Sequence, residues 1–173
     1  MTSLSINVNK IALIRNSRSG NYPDVSSYAE KCINLGANGI TVHPRPDLRH
    51  IRPNDVREIS KIISKLSDVE FNVEGNPFSD QNENYPGLLK LVQQTRPDQC
   101  TLVPDSLDQL TSDHGFDLDA FGENLKPVID EIKSHGTRVS LFIDPEPRQI
   151  RNAARLGADR VELFTGTYSI AWG

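Results

Sequence analysis

A chain of 173 residues is one domain's worth, long enough to bury a hydrophobic core of its own. Its 19 Lys and Arg and 23 Asp and Glu are interspersed, giving a formal charge of −4 with no contiguous basic face, which argues against a nucleic-acid or membrane-surface protein. No apolar run reaches the roughly 20 residues of a membrane span, and residues 1–5 lack the charged head and apolar core of a signal peptide, so a cytoplasmic protein is expected.

Strand and helix patterns alternate at intervals of about thirty residues, the length of a βα unit. A first strand is expected over residues 5–11, running into a polar loop that reaches Gly20 and carries Lys10, Arg15 and Arg18. An amphipathic helix over 24–35 follows, with Gly36 where a helix C′ glycine belongs. The second strand, 39–43, ends in His43 and gives way to a loop holding Arg45, Arg49 and His50. Asn54 is a fair N-cap for a helix over 54–66, after which a third strand, 70–74, ends in Glu74. Residues 77–86 read as a polar, surface-exposed insert before a helix over 86–94. A fourth strand is expected at 99–103. A helix over 124–135 and Gly136 precede the fifth strand, 138–143; a helix over 147–156 and Gly157 precede the sixth, 160–164. The corner Leu35-Gly36-Ala37-Asn38 recurs as Leu156-Gly157-Ala158-Asp159, which supports an array of βα units. Cys32 and Cys100 lie in periodic apolar segments and read as buried free thiols rather than a disulfide.

Side chains alternate across a strand, so each strand divides into two faces. One face is apolar throughout: Ile6 and Val8, Ile40 and Val42, Phe71 and Val73, Val139, Leu141 and Ile143, Val161 and Leu163. The other is largely polar, with Asn7 and Asn9, Thr41 and His43, Asn72 and Glu74, Ser140 and Phe142, Arg160 and Glu162, then Phe164. A doubly wound sheet has helices on both faces and reads as continuous apolar runs. A closed α/β barrel of the TIM (β/α)8 type explains one-sided polarity better, since helices cover only its outside. Such a barrel has eight strands and typically about 250 residues. Residues 1–173 are therefore expected to be a single barrel domain with about six βα units, apparently lacking the last two.

Two neighbouring βα loops would place Lys10, Arg15 and Arg18 beside Arg45, Arg49 and His50 on one rim. Guanidinium groups pair with phosphate oxygens, so a phosphorylated substrate is the natural inference. Any one of these could instead be a solvated loop charge; their coincidence at strand ends is what points to a site. His43, near the top of the polar column, can give and take protons near neutral pH, or else be a hydrogen-bonded core histidine. Glu74, partly withdrawn from water on the same face, is a candidate base, or the partner of a structural arginine. His43, Asp47 and His50 lack a recognised metal-ligand spacing, and neither a dinucleotide fingerprint nor a P-loop occurs. A metal site on these three residues is therefore the less favoured reading.

With these residues in view, the chain resembles the pyridoxine 5′-phosphate synthase family of vitamin B6 biosynthesis. The resemblance is carried by Asn7-Val8-Asn9-Lys10-Ile11-Ala12, Arg15-Asn16-Ser17-Arg18 and above all Thr41 to Ile51. Asn72-Val73-Glu74, Leu102-Val103-Pro104, 139–144 and Glu162-Leu163-Phe164-Thr165-Gly166 follow in the family's order. It implies a (β/α)8 barrel, usually octameric, that condenses 3-amino-2-oxopropyl phosphate with 1-deoxy-D-xylulose 5-phosphate without a cofactor, releasing phosphate and water. By position it makes His43 and Glu74 the proton acceptors. Asn7 and Arg18 would contact the amino-ketone phosphate; Arg45, His50 and Thr111 would contact the deoxyxylulose phosphate. Asn9-Lys10 stand where the family has Asp-His, Phe164 where a histidine is common, and His114 where glycine is usual. Lys10 there could still hold a phosphate, and Asn9 is kept with it among the binding residues. The family's proton-donating histidine, after its seventh strand, falls beyond Gly173. The alternative expectation is a non-catalytic or truncated relative that binds phosphorylated metabolites or joins a complete synthase.

Overall fold

The computed structural model describes residues 2–172. Its elements follow the chain as β1 (Ser5–Asn7), α1 (Asn9–Asn16), α2 (Val25–Asn34), β2 (Gly39–Val42), α3 (Pro53–Ile63), β3 (Glu70–Gly75) and α4 (Leu88–Thr95). They continue with β4 (Gln99–Leu102), α5 (Leu118–Ser134), β5 (Arg138–Ile143), α6 (Pro147–Leu156), β6 (Arg160–Leu163) and α7 (Gly166–Trp172). All six strands are parallel and lie in sequence order, β1-β2-β3-β4-β5-β6. A doubly wound sheet reverses its strand order at a switch point; this one never does, and it curls into part of a barrel.

The apolar strand face packs under the helices. Ile40, Val42, Val73, Leu102, Leu141 and Ile143 are fully buried there against Val56, Ile59, Leu91, Leu125 and Ile129. The concave face is polar and ties its strands together side chain to side chain. Ser5 Oγ and Thr41 Oγ1 lie 2.9 Å apart, Thr101 Oγ1 donates to Asn72 Oδ1 at 3.1 Å, and Arg160 donates to Gln99 Oε1 at 3.1 Å. That polar face is what the alternation of residue types predicts.

The repeated corner is a helix stop with a second purpose. Ala37 N donates back to Cys32 O and Ala158 N to Ala153 O, closing both helices across a glycine with φ near +99° and +87°. The next residue then braces the preceding strand: Asn38 Oδ1 accepts from Leu4 N at 2.9 Å and Asp159 Oδ2 from Val139 N at 2.9 Å. Asp98 does the same for Phe71 N at 2.7 Å, without the glycine corner.

Several boundaries differ from expectation. The first strand stops at Asn7, not Ile11, because Asn7 Oδ1 accepts from Asn9 N at 2.9 Å and turns the chain into α1, where a loop was expected. Asn54 is not the N-cap of α3. Pro53 occupies the first turn and the Asp55 carboxylate accepts from Arg52 N at 2.7 Å, leaving Asn54 to bond Glu58. Helix α5 starts at Leu118, ahead of the expected 124, since Asp117 caps it and Gln149 Oε1 of α6 accepts from Leu118 N at 2.9 Å. Helix α7 was not expected. The insert before α4 is largely exposed, as expected, but Pro77, Ser79 and Pro86 are half-buried and Tyr85 is buried. Both cysteines are free thiols; Cys100 is buried and Cys32 half-buried. Among the described residues no helix is long and apolar enough to cross a membrane.

Candidate functional site

The carboxyl ends of β2, β3 and β4 converge on one imidazole. His43 follows β2 directly, and its main-chain N–H donates to Asn9 Oδ1 at 2.9 Å, so the turn into α1 also fixes the backbone of the histidine. Its ring lies between two carboxylates. Nδ1 is 3.7 Å from Glu74 Oε2, at the end of β3, and Nε2 is 3.3 Å from Asp105 Oδ2, just past β4. The first is too long for a hydrogen bond and the second is not aligned as one, and Nε2 has no hydrogen-bonding partner among the described residues. All three side chains are buried.

The two carboxylates differ in environment. Burial pushes the Glu74 carboxyl well above the usual range, and the nearby charges of Glu162 and Asp105 push the same way. Asn7 Nδ2 donates to it at only 3.3 Å and Asn72 Nδ2 at 3.5 Å, too weakly to hold an anion there. For Asp105 burial also acts upward, but His43 and Arg45 outweigh it and hold the carboxyl below its ordinary value. Arg45 Nη1 sits 2.6 Å from Asp105 Oδ2. Glu162, on the same concave face, is likewise pushed up by burial.

The basic groups behave differently from the rim of free cations that was expected. Arg15 is a buried structural residue: it grips Asp55 with both Nη atoms, at 2.5 and 2.9 Å, and donates to His50 O at 3.0 Å. The sequence placed it on a loop; the early turn at Asn7 puts it on α1, facing α3. Asn16 Nδ2 donates to the carbonyls of Leu48, Arg49 and His50, so α1 carries the loop that follows His43. Arg45 donates to Ser106 O, and Arg49 to the carbonyls of Leu107, Gln109 and Leu110, so both anchor the loop after β4. His50 packs edge-on to His43 with ring centroids 5.7 Å apart. Burial, with His43 and Arg45 nearby, pushes His50 down to about 4, so it is neutral at pH 7 and serves as a polar contact, not a cation. Lys10, Arg18 and Thr111 are exposed, and their side chains make no hydrogen bond or ion pair among the described residues.

Asp105 was missed by sequence reasoning. It follows Leu102-Val103-Pro104 and nothing local marks it; only the parallel register of β2 and β4 on either side of β3 brings it to His43. A small cavity of about 10 Å³ lies among His43, Arg45, Tyr85 and Asp105. The larger cavity, about 890 Å³, is the open concave face, reached by Asn7, Glu74 and Glu162 and running toward the opposite ends of the strands at Ser67 and Asp98. Among the described residues no three His, Cys, Asp or Glu side chains are grouped to hold a metal ion.

The family model described as "Pyridoxal phosphate biosynthesis protein PdxJ" matches residues 4–173. Curated proteins called "Pyridoxine 5'-phosphate synthase" are similar along nearly the whole chain. One from Xanthomonas campestris pv. campestris (strain B100) is 56% identical over 170 residues, 98% of this chain and 66% of that protein. One from Xylella fastidiosa (strain M23) is 55% identical over 168 residues, 97% of this chain and 64% of that protein. The chain thus spans just under two thirds of the length of these relatives. Among solved structures, the N-acetylmannosamine-6-phosphate 2-epimerase from Clostridium perfringens superposes with a TM-score of 0.59 at 16% identity, covering 96% of this chain and 63% of that one. The deoxyribose phosphate aldolase from Aeropyrum pernix gives 0.57 at 16% identity, with the same coverages. At such identities these two speak to the fold alone.

Proposed function

We propose, because the chain belongs to the PdxJ family of pyridoxal phosphate biosynthesis proteins, that it works as a pyridoxine 5′-phosphate synthase. It joins the amine of 3-amino-2-oxopropyl phosphate to the ketone of 1-deoxy-D-xylulose 5-phosphate, and closes the ring with loss of phosphate and water. The observation that carries the chemistry is one imidazole between two carboxyl groups pushed in opposite directions. Forming a Schiff base and losing water both need a proton delivered to oxygen and a proton taken from carbon or nitrogen. A neutral Glu74 carboxyl can deliver, the His43 imidazole can take, and each resets the other across 3.7 Å. Asn7, Arg18, Arg45, His50 and Thr111 are the candidate substrate contacts, with Lys10 as a further phosphate contact. Asn9 serves indirectly, by holding the His43 backbone.

A second reading, a relative that binds phosphorylated metabolites without turnover, is favoured by one observation: Arg45 and Arg49 already spend their donors on main-chain carbonyls and on Asp105 and Asp47. The test is to give the purified protein both substrates and follow phosphate release and pyridoxine 5′-phosphate by mass spectrometry, alongside calorimetric titration with deoxyxylulose phosphate. Product formation that His43→Ala abolishes is the expected result. Binding without turnover favours the second reading, and the absence of both refutes the proposal.

A further inference from the structure

We infer that Asp105 is a positioning residue: lying against His43 Nε2 and clamped by Arg45, it keeps the His43 proton on Nε2 and leaves Nδ1, turned toward Glu74, as the basic nitrogen. The inference rests on the reading of His43 as the acid–base group.

A neutral imidazole carries its proton on one nitrogen only, and the partner of that nitrogen decides which. An ionised carboxylate can only accept. Asp105 is kept in that form by Arg45 Nη1 at 2.6 Å, inside a pocket where its side chain is only 2% exposed. A nitrogen 3.3 Å from its Oδ2 is therefore driven to be N–H. The present approach is out of line, as such contacts often are before substrate closes the site. On the opposite side of the ring, Glu74 is the carboxyl that burial favours in the protonated form, so it can donate to Nδ1 where Asp105 cannot donate to Nε2. The two carboxyl groups thus have different jobs. Glu74 exchanges protons with the ring, whereas Asp105 orients it and stabilises it when it becomes cationic.

The supports of Asp105 are specific. Asn76 Nδ2 donates to its main-chain oxygen at 2.9 Å, so the segment after β3 holds its backbone. Arg45 continues to Ser106 O and to Gln109 O at 3.4 Å, and Arg49 binds the same loop, so the orienting carboxylate is tied to the loop after His43. Position 105 therefore couples the chain segment that carries the imidazole to the segment that follows β4. The groups facing the His43 ring, and so setting its protonation, are Glu74 from β3, Asp105 from beyond β4, and His50 and Arg45 from its own loop. Glu162 of β6 acts on it at longer range.

The test is long-range proton–nitrogen NMR of the ¹⁵N-histidine-labelled protein without substrate, with the His43 signals assigned by their loss in His43→Gln. The wild type is expected to show the Nε2-protonated tautomer. In Asp105→Asn the Nδ1-protonated form should gain a visible share of the population, because an amide can donate to Nε2 where the carboxylate could only accept. Asp105→Glu should restore much of the wild-type pattern. An Nδ1-protonated ring in the wild type overturns the inference even if every Asp105 variant unfolds, as does an unchanged tautomer in a folded Asp105→Asn. Because the spectra are taken without substrate, they are independent of turnover. A protein with the expected tautomer that neither binds nor converts the two phosphates refutes the proposed function and leaves the positioning role standing.

Discussion

Replacing Arg15 by Met separates a structural arginine from a phosphate-binding one. Arg15 is 1% exposed and holds Asp55, 9% exposed at its side chain, through two near-parallel contacts of 2.5 and 2.9 Å. Its Nη2 also donates to His50 O at 3.0 Å, so the pair sits between α1, α3 and the loop after His43. In Arg15→Met the Asp55 carboxylate stays buried with Arg52 N as its remaining hydrogen-bond donor, which satisfies one oxygen and leaves the charge uncompensated. Removing one partner of such a buried pair costs about 3–5 kcal/mol. For a chain of this size each 1 kcal/mol moves the melting point by roughly 2–4 °C, so a drop on the order of 10 °C is expected. Thermal and urea unfolding followed by circular dichroism measure it. The double variant Arg15→Met with Asp55→Leu should recover most of the loss, ending about 1 kcal/mol below wild type, the worth of the Asp55 cap on α3. A single variant that loses under about 0.5 kcal/mol, the scale of an ordinary surface change, would refute the structural assignment.

Other outcomes follow from the same groups. His50 is near 4 in the folded protein against 6.5 in an unfolded chain, so between those values the unfolded state binds more protons and stability falls as the pH is lowered. His50→Gln should flatten that part of a pH series of urea midpoints; a steeper slope in the variant would contradict the burial argument. Glu74 is raised, so the native state holds the extra proton and stability is lost as the pH climbs past the ordinary carboxyl range. Glu74→Gln should therefore raise the unfolding midpoint at pH 7 while cutting turnover by about 10²–10⁴-fold, and a variant that is both less stable and fully active would count against its role. Arg49→Ala removes the donors that hold the carbonyls of Leu107, Gln109 and Leu110. Limited proteolysis should then cleave between Ser106 and His114 faster than in wild type, and an unchanged cleavage rate would show that Arg45 alone suffices.

Much of the architecture follows from periodicity alone. Six strands with one apolar and one polar face, separated by amphipathic helices, admit a curled parallel sheet and little else, because only a barrel interior leaves one face without helices. The candidate acid–base pair was legible for the same reason. His43 and Glu74 occupy the last inward positions of adjacent strands, and parallel pairing of β2 with β3 brings such residues together. The glycine corners were legible because a helix ending in a left-handed residue has a local signature.

What tertiary structure alone decided is the assignment of partners to charges. Arg15, Arg45 and Arg49 look alike in sequence, yet one is locked to Asp55 from α3 and two anchor a loop about sixty positions further along the chain. Asp105 has no local mark, and its role exists only because β4 lies beside β3. An ionisable side chain acquires its function from the charges and water around it, and these are supplied by residues distant in sequence. The hydrophobic pattern determined where strands and helices run; folding decided which carboxyl group burial would push up, which one its neighbours would hold down, and which arginines would be left with donors to spare.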